Sequence, residues 1–102
     1  MRSFKPNNNY TLEDLEVTII GEAICHPARK QIIQLVKANK NLTNTRLSKI
    51  LNLSKPAITK HLLKLSDANI VNYKYNIHEF KIKLNTNGFN KMEQFIIEMK
   101  SK

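Results

Sequence analysis

In 102 residues the chain has one cysteine, no tryptophan, two glycines and three prolines. The lone Cys25 excludes an intrachain disulfide, which fits a reducing compartment. Two glycines leave no material for a Gly-rich phosphate loop, and so few glycines and prolines argue against a low-complexity tail. No apolar run approaches the roughly 20 residues of a membrane span. The opening MRSFKPNNNY has no apolar h-region, so no secretion signal is expected and the cytoplasm is the expected compartment. No Ser/His/Asp or Cys/His constellation has a recognisable catalytic spacing, so neither an enzyme nor a cofactor is expected.

The most informative absence is of one charge sign. Between Ala23 and Ser66 there is no Asp or Glu, while Arg29, Lys30, Lys37, Lys40, Arg46, Lys49, Lys55, Lys60 and Lys64 all fall there. These nine account for the entire net charge of +9, because the remainder holds eight residues of each sign. Lys- and Asn-rich composition alone makes proteins basic, but composition bias does not empty one segment of acids. A polyanionic partner is expected.

The segment at the centre of this acid-free span is Thr43–Leu65, TNTRLSKILNLSKPAITKHLLKL. It predicts two short helices joined by a tight turn. Thr43 caps the first, with Leu42 just outside as a staple. Leu47, Ile50 and Leu51 give that helix an apolar stripe. Asn52-Leu53 makes the turn, with Leu53 pointing inward. Ser54 caps the second helix, and Pro56 sits in its first turn, where a missing N–H costs nothing. Ile58, Leu62 and Leu65 recur at i, i+4, i+7 as a buried face. Pro56, Thr59, Lys60 and Lys64 lie opposite. This is the pattern of a helix-turn-helix, whose second helix lies in the major groove of DNA.

Around this unit, residues 1–10 predict a flexible basic arm and residues 11–100 one domain. Thr11–Asp14 resembles a capping box opening a helix. Leu12, Leu15, Ile19 and Ala23, with Ile20 and Ile24 beside them, form a stripe wider than one core needs, with Val17 off it. His26-Pro27 breaks that helix and opens the next, whose buried side is Ile32, Ile33, Leu35 and Val36. Asn69 is a left-handed cap after the central unit. The period then changes to two: Val71, Tyr73 and Tyr75, then Phe80, Ile82 and Leu84, predict a hairpin with a tip near Asn76-Ile77-His78. Lys74, Lys81 and Lys83 lie on its polar side. A last helix starts with Asn85 or Thr86 as cap and carries Phe89, Met92, Ile96 and Met99, with Phe95 alongside. Two amphipathic ends on so small a chain predict a homodimer through Leu12, Leu15, Ile19, Phe89, Met92, Phe95, Ile96 and Met99. The expected class is mainly α with a small β-hairpin, in the order α-α-α-α-β-β-α.

That order, together with several segments, resembles the winged helix-turn-helix regulators of the ArsR and MarR type. His26-Pro27-Ala28-Arg29 with Ile32–Val36 is similar to the family's "D-P-x-R…I-L-x-L-L". Leu47–Ser54 is similar to "L-A-x-x-L-G-L-S". Ile58–Leu62, Leu65 and Ala68–Val71 are similar to "V-S-x-H-L…L…A-G-L-V", and Leu84–Gly88 to "L-T-x-x-G". His26 stands where the family has Asp or Asn, and Asn69 where it has Gly. The C-x-C pair and the His and Asp ligands of the family's metal sensors are missing.

The resemblance implies binding of double-stranded DNA, with transcriptional repression as the simplest output. It implies that Lys55, Ala57, Thr59 and Lys60 face base edges beside Pro56, since lysine donates to guanine and a methyl packs on thymine. Thr43, Arg46, Lys49, Ser54 and Lys64 suit phosphates. Tyr73, Lys74, Tyr75, His78 and Lys81 are the wing candidates. Winged helices also serve as protein-docking or RNA-binding scaffolds. His61 is expected to be a packing histidine, Leu63 falls off the core stripe without a role, and Cys25 is expected to be a buried thiol. Cys25 and His26 diverge as neighbours on a helix, so no metal site is expected.

Overall fold

The computed structural model describes residues 9–76 and 79–101. Residues 1–8 of the expected arm, and Ile77 and His78 at the expected wing tip, lie outside the described residues.

Helix α1 spans Leu12–Ile24 and opens on the expected capping box. Thr11 Oγ1 accepts from the Asp14 N–H at 3.0 Å, and the Asp14 carboxylate accepts from the Thr11 N–H at 2.9 Å. Its inward face is Val17, Ile20 and Ala23. Val17 is therefore not off the stripe but is only 7% exposed. The broad stripe is two faces: Val17, Ile20 and Ile24 at i, i+3, i+7 turn inward, and Leu12, Leu15 and Ile19 at the same spacing turn outward.

Helix α2 covers Pro27–Ala38, with Pro27 in the first turn and His26 as N-cap. Ile32 and Val36 are buried, and Ile33 and Leu35 half-buried against the same core. The unexpected element is β1, Leu42–Thr43, which pairs antiparallel with a later strand. Two residues are too few for alternation to show in a sequence.

Helices α3 (Asn44–Leu51) and α4 (Lys55–Asp67) form the helix-turn-helix. Strands β2 (Val71–Asn76) and β3 (Glu79–Leu84) form the hairpin, in the register Val71↔Leu84, Tyr73↔Ile82, Lys74↔Lys81. With Leu42 opposite Ile82, the sheet has the order β1-β3-β2. Helix α5 runs Asn87–Lys100. Thr86 holds its N-cap position, but the Thr86 hydroxyl makes no cap bond; Asn85 Oδ1 accepts from the Asn87 N–H at 2.9 Å instead.

Helices α2, α3 and α4 and strands β2 and β3 each send a fully buried side chain to one core: Ile32 from α2, Leu47 from α3, Ile58, Leu62 and Leu65 from α4, Val71 from β2 and Ile82 from β3. Ile20 and Ala23 close it from α1. The three from α4 fix its rotation. Each is worth about 1.5–3 kcal/mol of burial, so turning the helix over to hide its lysines would forfeit all three and bury charge as well.

Candidate nucleic-acid interface

The turn between α3 and α4 is pinned from both sides. Asn52 takes a left-handed conformation, φ 54°, which asparagine tolerates better than most residues. The Leu53 N–H donates to the Ser48 carbonyl at 3.1 Å, and the Ser48 hydroxyl donates back to the Leu53 carbonyl. Leu53 thereby packs against the core. Ser54 Oγ accepts from the Ala57 N–H at 3.2 Å and starts α4, as its position in the sequence requires.

With Ile58, Leu62 and Leu65 inward, α4 leaves Lys55, Pro56, Lys60, Leu63 and Lys64 exposed, with Ala57 and Thr59 half-exposed. The Thr59 hydroxyl donates to the Lys55 carbonyl at 3.0 Å, so its hydrogen is already used within the helix. Lys64 and Asp67 border a shallow groove with Ile19, Glu22 and Ala23 of α1. Lys64 thus sits at the α1 edge of the face. Asp67 follows Lys60 by seven residues and shares its side of α4, so the basic surface ends there.

On α3, Arg46 and Lys49 are exposed. Thr43 is only 8% exposed, and its Oγ1 accepts from the Arg46 N–H at 3.2 Å. Thr43 is thus the expected cap of α3, and its burial leaves the helix N-terminus, more than its hydroxyl, open to the surface. Ile50 is 49% exposed rather than part of the inward stripe, which Leu47 anchors with Leu51 half-buried.

In the hairpin, Lys74 and Lys81 are exposed and directly opposite each other, and Lys83 is exposed opposite Asn72. Like charges facing across a ladder repel, so this pair is a local cost unless an anion lies over it. Tyr73 is half-buried against the core, so its ring is partly packing. Tyr75 pairs with Phe80 in the ladder.

Eight of the nine cations of the acid-free span are exposed, and among the described residues none of them makes an ion pair. Arg29 is the exception and the residue that charge counting misplaced. It is buried, and its guanidinium serves the backbone of α1. The signal that singled it out was its place in the His26–Arg29 motif, not its charge. Cys25, expected to be a buried thiol, is exposed, because the chain turns there between α1 and α2. No cluster of three or more His, Cys, Asp or Glu suited to a metal ion occurs among the described residues. No helix among them is long and apolar enough to cross a membrane.

The family model of bacterial regulatory proteins of the ArsR family matches residues 26–73, from the α2 cap to the first wing strand. Over this segment, 48 of the 102 residues, the chain is similar to ArsR-family regulators. The match is to regulators, not to enzymes. An uncharacterized HTH-type transcriptional regulator of Methanocaldococcus jannaschii is 40% identical over 58 residues, 56% of this chain and 59% of that protein. The chain thus spans about three-fifths of the curated relative it matches. Among solved structures, an ArsR family transcriptional regulator superposes with a TM-score of 0.76 at 18% identity, covering 83% of this chain and 87% of that one. HlyU from Vibrio cholerae gives 0.65 at 20% identity, over 91% and 100% of the two chains. A MarR protein from Peptoclostridium difficile gives 0.59 at 14% identity, over 97% and 74%. These structural likenesses establish the winged helix-turn-helix fold; the sequence match adds the likeness to ArsR regulators over residues 26–73.

Proposed function

We propose that residues 11–100 form a homodimeric, sequence-selective binder of double-stranded DNA that acts as a transcriptional regulator, repressing by occupying a promoter. The observation that carries this reading is the outward face of α4. Lys55, Lys60 and Lys64 are exposed there, while Ile58, Leu62 and Leu65 hold the reverse side in the core.

In this reading the N-terminal part of α4 enters the major groove. Lys55 and Lys60 donate to base edges, and Ala57, Pro56 and the Thr59 methyl supply apolar contact. Arg46, Lys49, Lys64 and the backbone N–H groups behind Ser54 take phosphates. Lys74 and Lys81 lie on the flanking backbone, where a phosphate relieves their mutual repulsion.

Two copies are joined through α1 and α5. These helices pack against each other within the chain, tied by a Lys91–Glu16 ion pair of 2.8 Å. Their outer sides leave Leu12, Leu15, Ile19, Ile96, Ile97 and Met99 exposed. Phe89 and Met92 rest on the chain's own core and Phe95 is half-buried, so the surface proposed for the partner centres on the other six. Two α4 helices then reach successive major grooves about 34 Å apart.

The test is selection of duplexes from a random pool by the purified protein at stated salt. An enriched motif with two half-sites one turn apart supports the proposal. No enrichment, with salt-sensitive binding to any duplex, refutes sequence selectivity and favours a scaffold role.

A further inference from the structure

A polar cluster, buried at Arg29 and half-exposed at its two histidines, ties α4 to the corner between α1 and α2. Arg29 Nε donates to the Ala23 carbonyl at 2.7 Å, and one Nη donates to the Glu22 carbonyl at 3.0 Å. The guanidinium thus closes the C-terminal end of α1, where the helix dipole favours a cation. Its other Nη lies 3.3 Å from His61 Nδ1 on α4. A guanidinium only donates and does not lose its proton in a protein, so His61 Nδ1 must offer a lone pair. The ring in this geometry is neutral, with its hydrogen on Nε2. The His26 ring lies 4.9 Å from that of His61, centroid to centroid. Its Nδ1 accepts from the Ala28 N–H at 3.0 Å as the cap of α2, so it too has a lone pair committed.

We propose that Arg29, His61 and His26 form a positioning device that holds α4 at the angle needed for duplex binding only while His61 is neutral. A proton on His61 Nδ1 replaces an acceptor with a donor facing Arg29. It also places a second positive charge beside the guanidinium and a few ångströms from His26. The ring then leaves the corner, and α4, which carries it between Lys60 and Leu62, tilts with it. Burial, His26 and Arg29, in that order, already hold the His61 pKa below its ordinary value.

The groups facing His61 are few. From α2 come the Arg29 guanidinium and the His26 ring. The end of α1 presents the Glu22 and Ala23 carbonyls, with the Glu22 carboxylate and Cys25 exposed. On α4 itself, the neighbouring Lys60 and Lys64 are exposed. Among the described residues no carboxylate bonds to the cluster, so no protein group pairs with an added proton.

This inference rests on the DNA-binding reading for its output, and its sign separates it from simple electrostatics. Acidification adds positive charge to the whole chain, which alone would tighten binding to any polyanion. The device weakens selective binding instead, by up to about tenfold per pH unit once the free ring titrates and the bound form requires it neutral.

The test measures affinity for a selected duplex at pH 7.5 and 5.5, with salt held constant, for the wild type, His61→Gln and His26→Asn. Glutamine offers Arg29 an acceptor that does not titrate. Asparagine keeps a neutral cap on α2 and removes the second ring. The wild type is expected to lose selective affinity in acid, His61→Gln to bind like the wild type at pH 7.5 and lose little at pH 5.5, and His26→Asn to show a smaller acid loss. Tighter selective binding of the wild type in acid, or an unchanged pH profile in His61→Gln, overturns the proposal. Amide exchange across Lys60–Leu65 without DNA, corrected for intrinsic pH dependence, is the independent readout. Acid should accelerate it in the wild type but not in His61→Gln, and equal acceleration in both overturns the device. Absence of selective binding at pH 7.5 instead defeats the DNA-binding reading and leaves the exchange contrast to decide. If His61→Gln does not fold, His26→Asn and wild-type exchange decide.

Discussion

Replacing Gly88 by alanine should destabilise the protein, and the same change at Gly21 should stabilise it. A Cβ on Gly88 would lie 2.2 Å from the Ala68 carbonyl oxygen, 2.7 Å from Ile70 Cδ1 and 2.9 Å from the Asn69 carbonyl oxygen. Two of these are backbone atoms at the end of α4, held by the Ala68 N–H on the Lys64 carbonyl and the Asn69 N–H on the Ser66 carbonyl. Neither rotates away, so the start of α5 must move. That movement also strains the Gly88 N–H bond to the Asn69 carbonyl, now 2.8 Å. Overpacking costs about 1–3 kcal/mol and a weakened hydrogen bond about 0.5–1.5 kcal/mol. Against this stands at most about 1 kcal/mol of helix propensity gained. The clash wins by about 1–3 kcal/mol, a fall in Tm of about 5–20 °C for a chain this size. At Gly21, within α1, the new Cβ would meet only Met92 Cε at 3.6 Å, an ordinary contact, so the propensity term stands alone and Tm should rise by a few degrees. Thermal unfolding by circular dichroism reads both. Gly88→Ala melting at or above the wild type would refute the close approach of α5 to the α4–β2 turn.

Stability should fall as pH drops below about 6.5, because the His61 pKa is lowered in the folded state and the unfolded chain binds the proton more readily. Urea unfolding at pH 7.5 and 5.5 measures this, and His61→Gln should remove that part of the fall. Leu62→Ala should cost about 2–5 kcal/mol, since its side chain is fully buried, whereas Leu63→Ala should cost under about 1 kcal/mol, since that neighbour is half exposed. Chemical denaturation separates them, and equal losses would contradict the rotation assigned to α4. Leu12→Lys combined with Ile97→Lys should shift light-scattering mass from two copies to one while leaving the helical spectrum intact; a wild type that is already monomeric would remove the proposed dimer.

The parts that could be read from the sequence were those with a local cause. Thr11, Thr43 and Ser54 each cap a helix because a hydroxyl three residues ahead of an orphan N–H is a local matter. Asn69 takes φ 58° as expected of a glycine substitute, and the stripe Ile58, Leu62, Leu65 sets α4 correctly. What escaped depends on distant partners. Strand β1 exists only because β3 arrives beside it. The assignment of Val17 and Leu12 to opposite faces depends on which neighbour α1 meets. Arg29 counts as a surface charge until the end of α1 is seen above it. Asp67 escaped because the basic face appeared to end at Leu65, whereas α4 continues through Asp67.

The central claim is that the outward lysines of α4 discriminate among duplexes, beyond attracting them. Its most direct measurement is the ratio of affinities for a selected and a scrambled duplex, compared between Lys60→Ala and Lys37→Ala, an exposed lysine on α2 outside the proposed interface. Lys60→Ala should lower the ratio by about 5- to 150-fold, the worth of a base contact of about 1–3 kcal/mol, while Lys37→Ala leaves the ratio unchanged. Equal effects of the two substitutions, or a ratio that neither moves, would contradict the claim.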